Sequence, residues 1–498
     1  MKLIYTLWIL LVFACLSSCS KLERTDFTNI EADKFFKTEK DVNAALTNYY
    51  STGMLGWNSW NWSAHIGYNS DAMADVWRFT WDDVPWDPNS NEITYDVHNF
   101  LVPFDMATPY SQLVKGISKG TRLIPKIKST PMVESARNSA IAQVKALRCN
   151  MAYWGQTLFG GIQMMLDPKV LEDVSGTGHY TPRMTPAEIC DFIVGQVDSI
   201  KNDLPDIYGA GSSDYGRVTK GFVLTIKLKS LMHQKRFLEA EATAREIMTL
   251  GYALVPNYNN IFTIENEKNV ETISSIVCQA NLYPDNSFNA EFLFYDYVGT
   301  NPKVAPWGCA NMEWDFYDTF DPLDVRREGI IADYINNIGE HVTRGNGYLE
   351  RGAMVLKYAE DPADLGSSSG VDVIYFRYAD ILLYLAEAIN ENKNGPTQEA
   401  IDLVNQIRAR AFPGHPEKLF SLSTFAGDQQ AFRDALFRER GCELYCEGWR
   451  RDDMIRMGKF DKWGLHQNPS YQPWMQLWPI SPTVVDQSKG IVAQNPGY

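Results

Sequence analysis

The sequence predicts a mainly α-helical protein, in which pairs of amphipathic helices build a scaffold that displays long, irregular, aromatic-rich loops. Three observations lead there. Apolar residues recur at the helical period through seven long segments. The stretches between them, 51–110, 160–182, 252–330 and 331–372, are rich in Gly, Pro, Asn, Asp and aromatic residues, and loops of that length are functional or packed by their own side chains. Phe, Trp and Tyr make up 13% of the chain, with 14 Trp and 25 Tyr, a surplus that suits both a core and flat, water-facing platforms.

The helices follow in order. Residues 140–158 place Ile141, Val144, Leu147, Met151, Trp154 and Leu158 on one face. Thr185-Pro186-Ala187-Glu188 reads as a capping box with proline at the first helical position, and the helix behind it buries Ile189, Phe192, Ile193, Val197 and Ile200. Residues 218–232 and 236–250 form a helix pair, stopped at Gly251. Residues 374–391 and 397–411 form another pair, and 430–447 one more helix. Such pairs resemble tetratricopeptide-type repeats without a clean 34-residue period, so the scaffold is read as tetratricopeptide-like and degenerate.

A chain of 498 residues has room for two or three units or one large one. With 45% hydrophobic and 21% charged residues it buries a real core, which excludes global disorder. The net charge of −15 argues against nucleic acid as a partner, because phosphate neutralisation needs a basic face. At the N-terminus, Met1-Lys2 precedes an apolar run from Leu3 to Leu16, too short to span a bilayer. Leu16-Ser17-Ser18-Cys19 then reads as a lipobox, with the Cys19 thiol as acyl acceptor after removal of signal peptide 1–18. The competing reading is an ordinary secretory signal. Several acyl chains would tether the mature protein firmly to a membrane. The other cysteines show no zinc spacing, and Cys442 and Cys446 read as small core residues.

Several motifs, in order along the whole chain, resemble the SusD/RagB family of outer-membrane nutrient-binding lipoproteins. After the lipobox come Phe35-Phe36 and Thr38-Glu39. Ala146-Leu147-Arg148 with Tyr153 and Phe159-Gly160-Gly161 follows, then Gly216-Arg217-Val218-Thr219 opening a helix. Phe376-Arg377-Tyr378-Ala379-Asp380-Ile381 runs on to Ala386-Glu387-Ala388, and Asn405-Gln406-Ile407-Arg408-Ala409-Arg410-Ala411 succeeds it. Glu439-Arg440, Glu443-Leu444 and Glu447-Gly448-Trp449-Arg450-Arg451-Asp452 lead to the terminal Pro479-Ile480 and Gln494-Asn495-Pro496-Gly497-Tyr498. Asp380 stands where the family usually has Glu, and Gly161-Ile162-Gln163-Met164-Met165 replaces its usual continuation. The resemblance implies a SusD-like fold over 19–498, with an N-terminal part 19–215 and a C-terminal part 216–498. It also implies a non-catalytic, cofactor-free binder, lipid-anchored and surface-exposed on the outer membrane. Such a protein would pass oligosaccharide to a SusC-like, TonB-dependent transporter.

Two aromatic clusters are candidates for that binding. Six tryptophans (57, 60, 62, 77, 81 and 86) fall within 30 residues, where an even spread of 14 over 498 would place about one. Polar residues such as Asn61, His65, Asp75, Arg78 and Asp82 lie between them. A sugar's C–H face stacks on an indole while its hydroxyls seek carboxylates, amides and guanidinium groups; the alternative is that these rings pin a long loop. By resemblance to the family's ligand-facing loop, Trp77, Trp81 and Trp86 are the candidate platform. In the second cluster, 283–317, Tyr297 and Trp307 are the candidates, with Asn311 beside them; Phe316 and Phe320 read as core.

Other constellations point to structure. Glu439, Glu443 and Glu447 share a helix face at i, i+4, i+8. Glycosidase carboxylates flank a scissile bond from different elements, so this row reads as pairing with Arg408, Arg440, Arg450 or Arg451. Asp321, Asp324, Arg326 and Arg327 read as an ion network. No HExxH motif occurs, and Asp82, Asp83 and Asp87 read as solvated loop carboxylates rather than a calcium site. The rival functions are an aromatic-cleft glycoside hydrolase and a helical-repeat assembly factor.

Overall fold

The computed structural model describes residues 35–54, 71–79, 107–172, 180–282 and 286–498. Signal segment 1–18, Cys19, Trp57, Trp60, Trp62, Trp81, Trp86 and the Asp82, Asp83, Asp87 group lie outside the described residues.

The protein is mainly α-helical. Its longer helices are α1 Glu39–Gly53, α2 Ala107–Ser129, α3 Glu134–Phe159, α4 Pro186–Ile200, α5 Lys220–His233 and α6 Phe237–Met248. They continue with α7 Tyr378–Lys393, α8 Gln398–Ala411, α9 Gln429–Leu444, α10 Arg450–Arg456 and α11 Phe460–Gln467. They pack in a continuous stack. α1 and α2 lie on α3, α3 on α4 and α5, α5 on α6, α6 on α7, and α7 on α8 and α9. One hydrophobic core runs through the whole stack.

Local chemistry sets the boundaries. The expected capping box forms at α4: Thr185 accepts from Glu188 N–H while the Glu188 carboxylate accepts from Thr185 N–H. Thr219 caps α5 by accepting from Phe222 N–H, so α5 starts two residues later than expected. α2 is a helix the sequence reading did not identify, because Gly116, Gly120 and Pro125 depress its propensity. The two glycines are there for close approach. A Cβ on Gly116 would lie 2.3 Å from Met151 Sδ of α3, and one on Gly120 2.2 Å from Tyr49 Oη of α1.

Two expected helices are corrected. Residues 374–377 of the expected 374–391 helix belong to a strand, β8 Val373–Arg377, paired antiparallel with β2 Thr272–Ile276. The run Val-Ile-Tyr-Phe is β-branched and aromatic, is buried on both faces, and favours a strand over the first turn of a helix. The expected 430–447 helix ends at Leu444, because Tyr445 turns to extended backbone and Cys446 takes φ +55°. The irregular stretches also contain short pairs: β1 Trp77–Phe79 with β3 Ala310–Met312, β4 Ile330–Ile331 with β7 Met354–Val355, and β5 Asp333–Ile335 with β6 His341–Thr343. These strands and loops enclose two cores of their own, one around Trp77, Phe292, Phe316 and Tyr445 and a smaller one around Phe294, Tyr334 and Leu349.

Helical stack and loop lobe are joined by a buried ion network. Arg377, at the end of β8, contacts Glu271, Glu443 and Glu447. Arg410 of α8 contacts Glu271 and Glu443, each at 2.5 Å. Arg326 holds Asp324, Glu439 and Glu443; Arg408 holds Glu439; Lys357 holds Glu447. Glu439, Glu443 and Glu447 are thus all ion-paired, as expected of a structural row, but of the four arginines proposed only Arg408 takes part, and only with Glu439. Arg440 pairs with Asp380 and Asp453, and Arg450 with Asp75. Cys442 and Cys446 are buried free thiols.

Burial by itself pushes the Glu443 carboxyl up, but Arg410, Arg377 and Arg326 together hold it well below the usual carboxylate range. A depressed folded-state pKa contributes stability that is present above the ordinary carboxylate value and is lost as pH falls through it. We therefore expect Glu443→Gln to lower unfolding free energy at neutral pH by about 3–5 kcal/mol, the cost of leaving buried cations uncompensated. Urea titrations at a series of pH values should show the gap between wild type and variant shrinking below about pH 4.

Candidate functional site

The smaller loop core carries an aromatic surface. Leu293, Phe294, Tyr334, Val342, Leu349 and Met354 are buried together, and Tyr297 and Trp314 pack against them. From this base a run of rings reaches solvent. Tyr297 meets Tyr334 edge-on at 5.6 Å; Phe294 lies 6.4 Å from Tyr334 and 5.5 Å from Tyr348; Tyr348 lies 6.1 Å from Tyr295. Tyr295 is 55% exposed and Tyr348 42%. The nearby β5–β6 turn adds Ile335 and Ile338, 57% and 74% exposed.

The loop bearing Tyr295 and Tyr297 is clamped at both ends. Tyr334 Oη donates to Asp296 Oδ1 at 2.6 Å, and Asn337 N–H donates to the Asp296 carbonyl. Downstream, the Glu360 carboxylate accepts from Thr300 N–H and Oγ1, while Asn301 Nδ2 donates to the carbonyls of Asp361 and Asp364. At Gly299 a Cβ would fall 2.0 Å from Glu360 Oε1, so a side chain there would displace the carboxylate. Trp307 enters the same lobe: its N–H donates to the Ala290 carbonyl at 2.5 Å and the next residue's N–H to Leu293. Its side chain is half-buried, as is that of Tyr297. Burial pushes the Tyr297 hydroxyl above its ordinary value, so it is a neutral donor at physiological pH.

Of the six candidate binding residues, Tyr297 and Trp307 therefore lie together in the exposed lobe, and Trp81 and Trp86 are outside the described residues. The other two are corrected. Trp77 is 1% exposed; its β1 strand pairs with β3, and its ring sits edge-on to Phe292 at 5.2 Å. Asn311, opposite Arg78 in that ladder, is 2% exposed. Both lie under the lobe instead of on it, because the short β1–β3 pair is sealed within the larger loop core. Trp314 reaches partway to solvent, but its Nε1 donates to the Leu349 carbonyl and the Arg344 guanidinium covers its ring at 4.5 Å. Three hydrogen bonds to the Asp318 carboxylate hold that arginine in place. Phe316 and Phe320 are core, as expected. Sequence reasoning missed Tyr348; its signal was an aromatic residue directly after Gly345-Asn346-Gly347, a turn that lifts a ring to the surface.

Exposed aromatic faces beside fixed carboxylate and amide groups can hold a ligand that offers both apolar C–H surface and hydroxyls. The Glu439, Glu443 and Glu447 row takes no part, since all three carboxylates are buried in the ion network.

This helix-pair scaffold with an aromatic loop lobe defines a SusD-like protein. The model of the SusD family matches residues 260–498, and the chain is a SusD-like family member. It is 26% identical, over 91% of its length and 89% of the relative's, to SusD-like protein P25 of Formosa agariphila. A SusD homolog from Bacteroides thetaiotaomicron superposes with a TM-score of 0.78 at 19% identity, covering 95% of this chain and all but 1% of that one. Surface glycan-binding protein A from the same organism, solved in complex with laminarihexaose, superposes at 0.72 and 21% identity, covering 92% of this chain and 100% of the other.

Gly308 takes φ +58°, and a Cβ there would stand 3.1 Å from the Tyr295 ring. Gly308→Ala should cost about 1 kcal/mol for the left-handed backbone and displace the Tyr295 ring. Urea unfolding checks the first effect, and near-ultraviolet circular dichroism the second.

Proposed function

We propose that the chain is a non-catalytic glycan-binding lipoprotein that captures oligosaccharide on the Tyr295–Tyr348–Trp307 lobe and delivers it to a SusC-like, TonB-dependent transporter. The observation that carries this reading is the exposure of Tyr295, on a loop whose backbone is pinned by Asp296, Glu360 and Asn301, and of Tyr348 from the neighbouring 347–350 turn. Rings that are already fixed lose little entropy when a sugar stacks on them. The laminarihexaose complex of the similar Bacteroides thetaiotaomicron protein supports a glycan as ligand.

In this proposal signal peptide 1–18 is removed, Cys19 carries the lipid anchor, and residues 19–498 form one unit, 19–215 and 216–498 being its two parts. The site of action is the outer-membrane surface. Among the described residues no helix is long and apolar enough to cross a membrane, and the tether is the acyl group. A lid that hands its cargo on needs modest affinity, and a few stacked tyrosines with bridging hydroxyl contacts supply that.

Affinity electrophoresis against plant, host and microbial polysaccharides, with a product check in the same tubes, tests the reading. Retardation by one class without cleavage is expected; cleavage would make the protein a hydrolase. With the retarding glycan, Tyr295→Ala and Trp307→Ala should each weaken binding by roughly 2- to 10-fold, about 0.5–1.5 kcal/mol per stacked ring, with unchanged thermal unfolding. Full affinity in both variants would remove the lobe from consideration.

A further inference from the structure

A cavity lies in the N-terminal part of the chain, between α1, α2 and the segment after α3. Its volume is about 860 Å³, within the range of small-molecule sites, roughly 300–1,000 Å³. Phe36, Val114, Leu123, Met165 and Leu171 give it an apolar wall. Along one rim run Lys115, Lys119, Arg122 and Lys126, spaced i, i+4, i+7 and i+11 on α2. That spacing puts four cations on one helix face over about 16 Å. All four are exposed.

The charge pattern is unusual for this molecule. The chain carries −15 overall, yet α2 has five basic residues and no acidic one. Among the described residues no acidic one lines the cavity. Lys119 Nζ donates to Asn48 Oδ1 and Thr52 Oγ1, Arg122 donates to the Leu171 carbonyl, and Lys126 lies 5.4 Å from the Phe36 ring centroid. These contacts aim the cations along the rim without neutralising them. Phe36 is held in place at φ +63°, its carbonyl accepting from Thr130 Oγ1. Elsewhere the protein pairs its cations with care, as the buried network shows.

We propose that this cavity binds a phosphate-bearing acyl lipid of the membrane, its chain against the apolar wall and its phosphate on the Lys115–Lys126 rim. An inorganic anion would have no use for the aliphatic wall, and a neutral sugar none for four cations. An anionic amphiphile satisfies both. The choice of membrane as the source rests on the Cys19 tether proposed above; the binding chemistry does not.

Isothermal titration of the full chain with monododecyl phosphate is the test, with inorganic phosphate and dodecyl maltoside as the charge-only and chain-only probes. Saturable binding of monododecyl phosphate is expected, with both controls weaker by about tenfold or more. Lys115→Glu/Lys126→Glu should weaken it by about tenfold or more, and Ala44→Trp, which fills the cavity from the exposed face of α1, should abolish it. Tyr295→Ala should leave it unchanged, so failure of the glycan reading and failure of this one are distinguishable. Equal binding by either control, complete displacement by dextran sulfate, or unchanged binding in both cavity variants would overturn the proposal. Phosphatidylcholine vesicles with and without phosphatidylglycerol then test the source. The wild-type chain should co-sediment more with the anionic vesicles, and the double variant should lose that preference; equal co-sedimentation would overturn the membrane assignment.

Discussion

The buried ion network around Arg377 is the constraint on which the rest of the structure depends. Five cations (Arg326, Lys357, Arg377, Arg408 and Arg410) meet five anions (Glu271, Asp324, Glu439, Glu443 and Glu447), so the cluster is neutral as a whole. Removing so many charges from water costs several kcal/mol per ion, and an apolar cluster of the same volume would often be at least as stable. What the ions add is geometry. Each guanidinium has a fixed fork of donors, so Arg377 can satisfy its partners only with β8, the start of β2 and the end of α9 in one arrangement. A greasy contact would tolerate sliding.

A second neutral cluster repeats the device inside the stack. Lys229, Arg440 and Arg456 pair with Asp380, Asp453 and Glu387. Lys229 also lies 3.6 Å from the centroid of the Trp449 ring, whose planes stack with Trp154 and Phe376. Asp71 accepts from the N–H groups of Gly448 and Arg450, while the Arg450 side chain holds Asp75. Burial pushes the Asp71 carboxyl up to about 7, so this link works against the Glu443 trend: its contribution falls as pH rises from the ordinary carboxylate range toward neutrality. Through these contacts the 71–79 segment, the loop lobe and the C-terminal helices are located relative to one another, and the surface rings inherit that precision.

The helices were legible because their signals are local. The Thr185–Glu188 box and the Thr219 cap act within one turn, and periodic apolar faces mark α3 to α9 with small errors at the ends. The strand at 373–377 was not legible. Its choice between helix and strand depends on β2, about a hundred residues earlier in the chain, and on Arg377 reaching Glu443 and Glu447. The charged motifs could be recognised as structural, but their partner lists could not be read off, since sequence spacing says nothing about which guanidinium faces which carboxylate across the core. α2 escaped notice because its glycines, needed for contact with Met151 and Tyr49, imitate a loop.

The aromatic sites show the same division between composition and position. Trp77 sits in the richest tryptophan cluster of the sequence, and it is buried against Phe292 because its strand is paired on β3. Tyr295 and Tyr348 come from less conspicuous stretches and stand in water. Indole is large and weakly polar, and burying it contributes most to a core; phenol keeps a polar tip that hydration satisfies, so it tolerates a surface position. Trp314 makes the point from the other side, for where its ring approaches solvent the protein covers it with Arg344 and anchors its Nε1 on Leu349. A count of tryptophans therefore reports how much aromatic surface the fold has to use. Which rings reach the surface is decided by strand pairing and by the cations nearby, and in the described lobe the surface is built on tyrosines with Trp307 beside them.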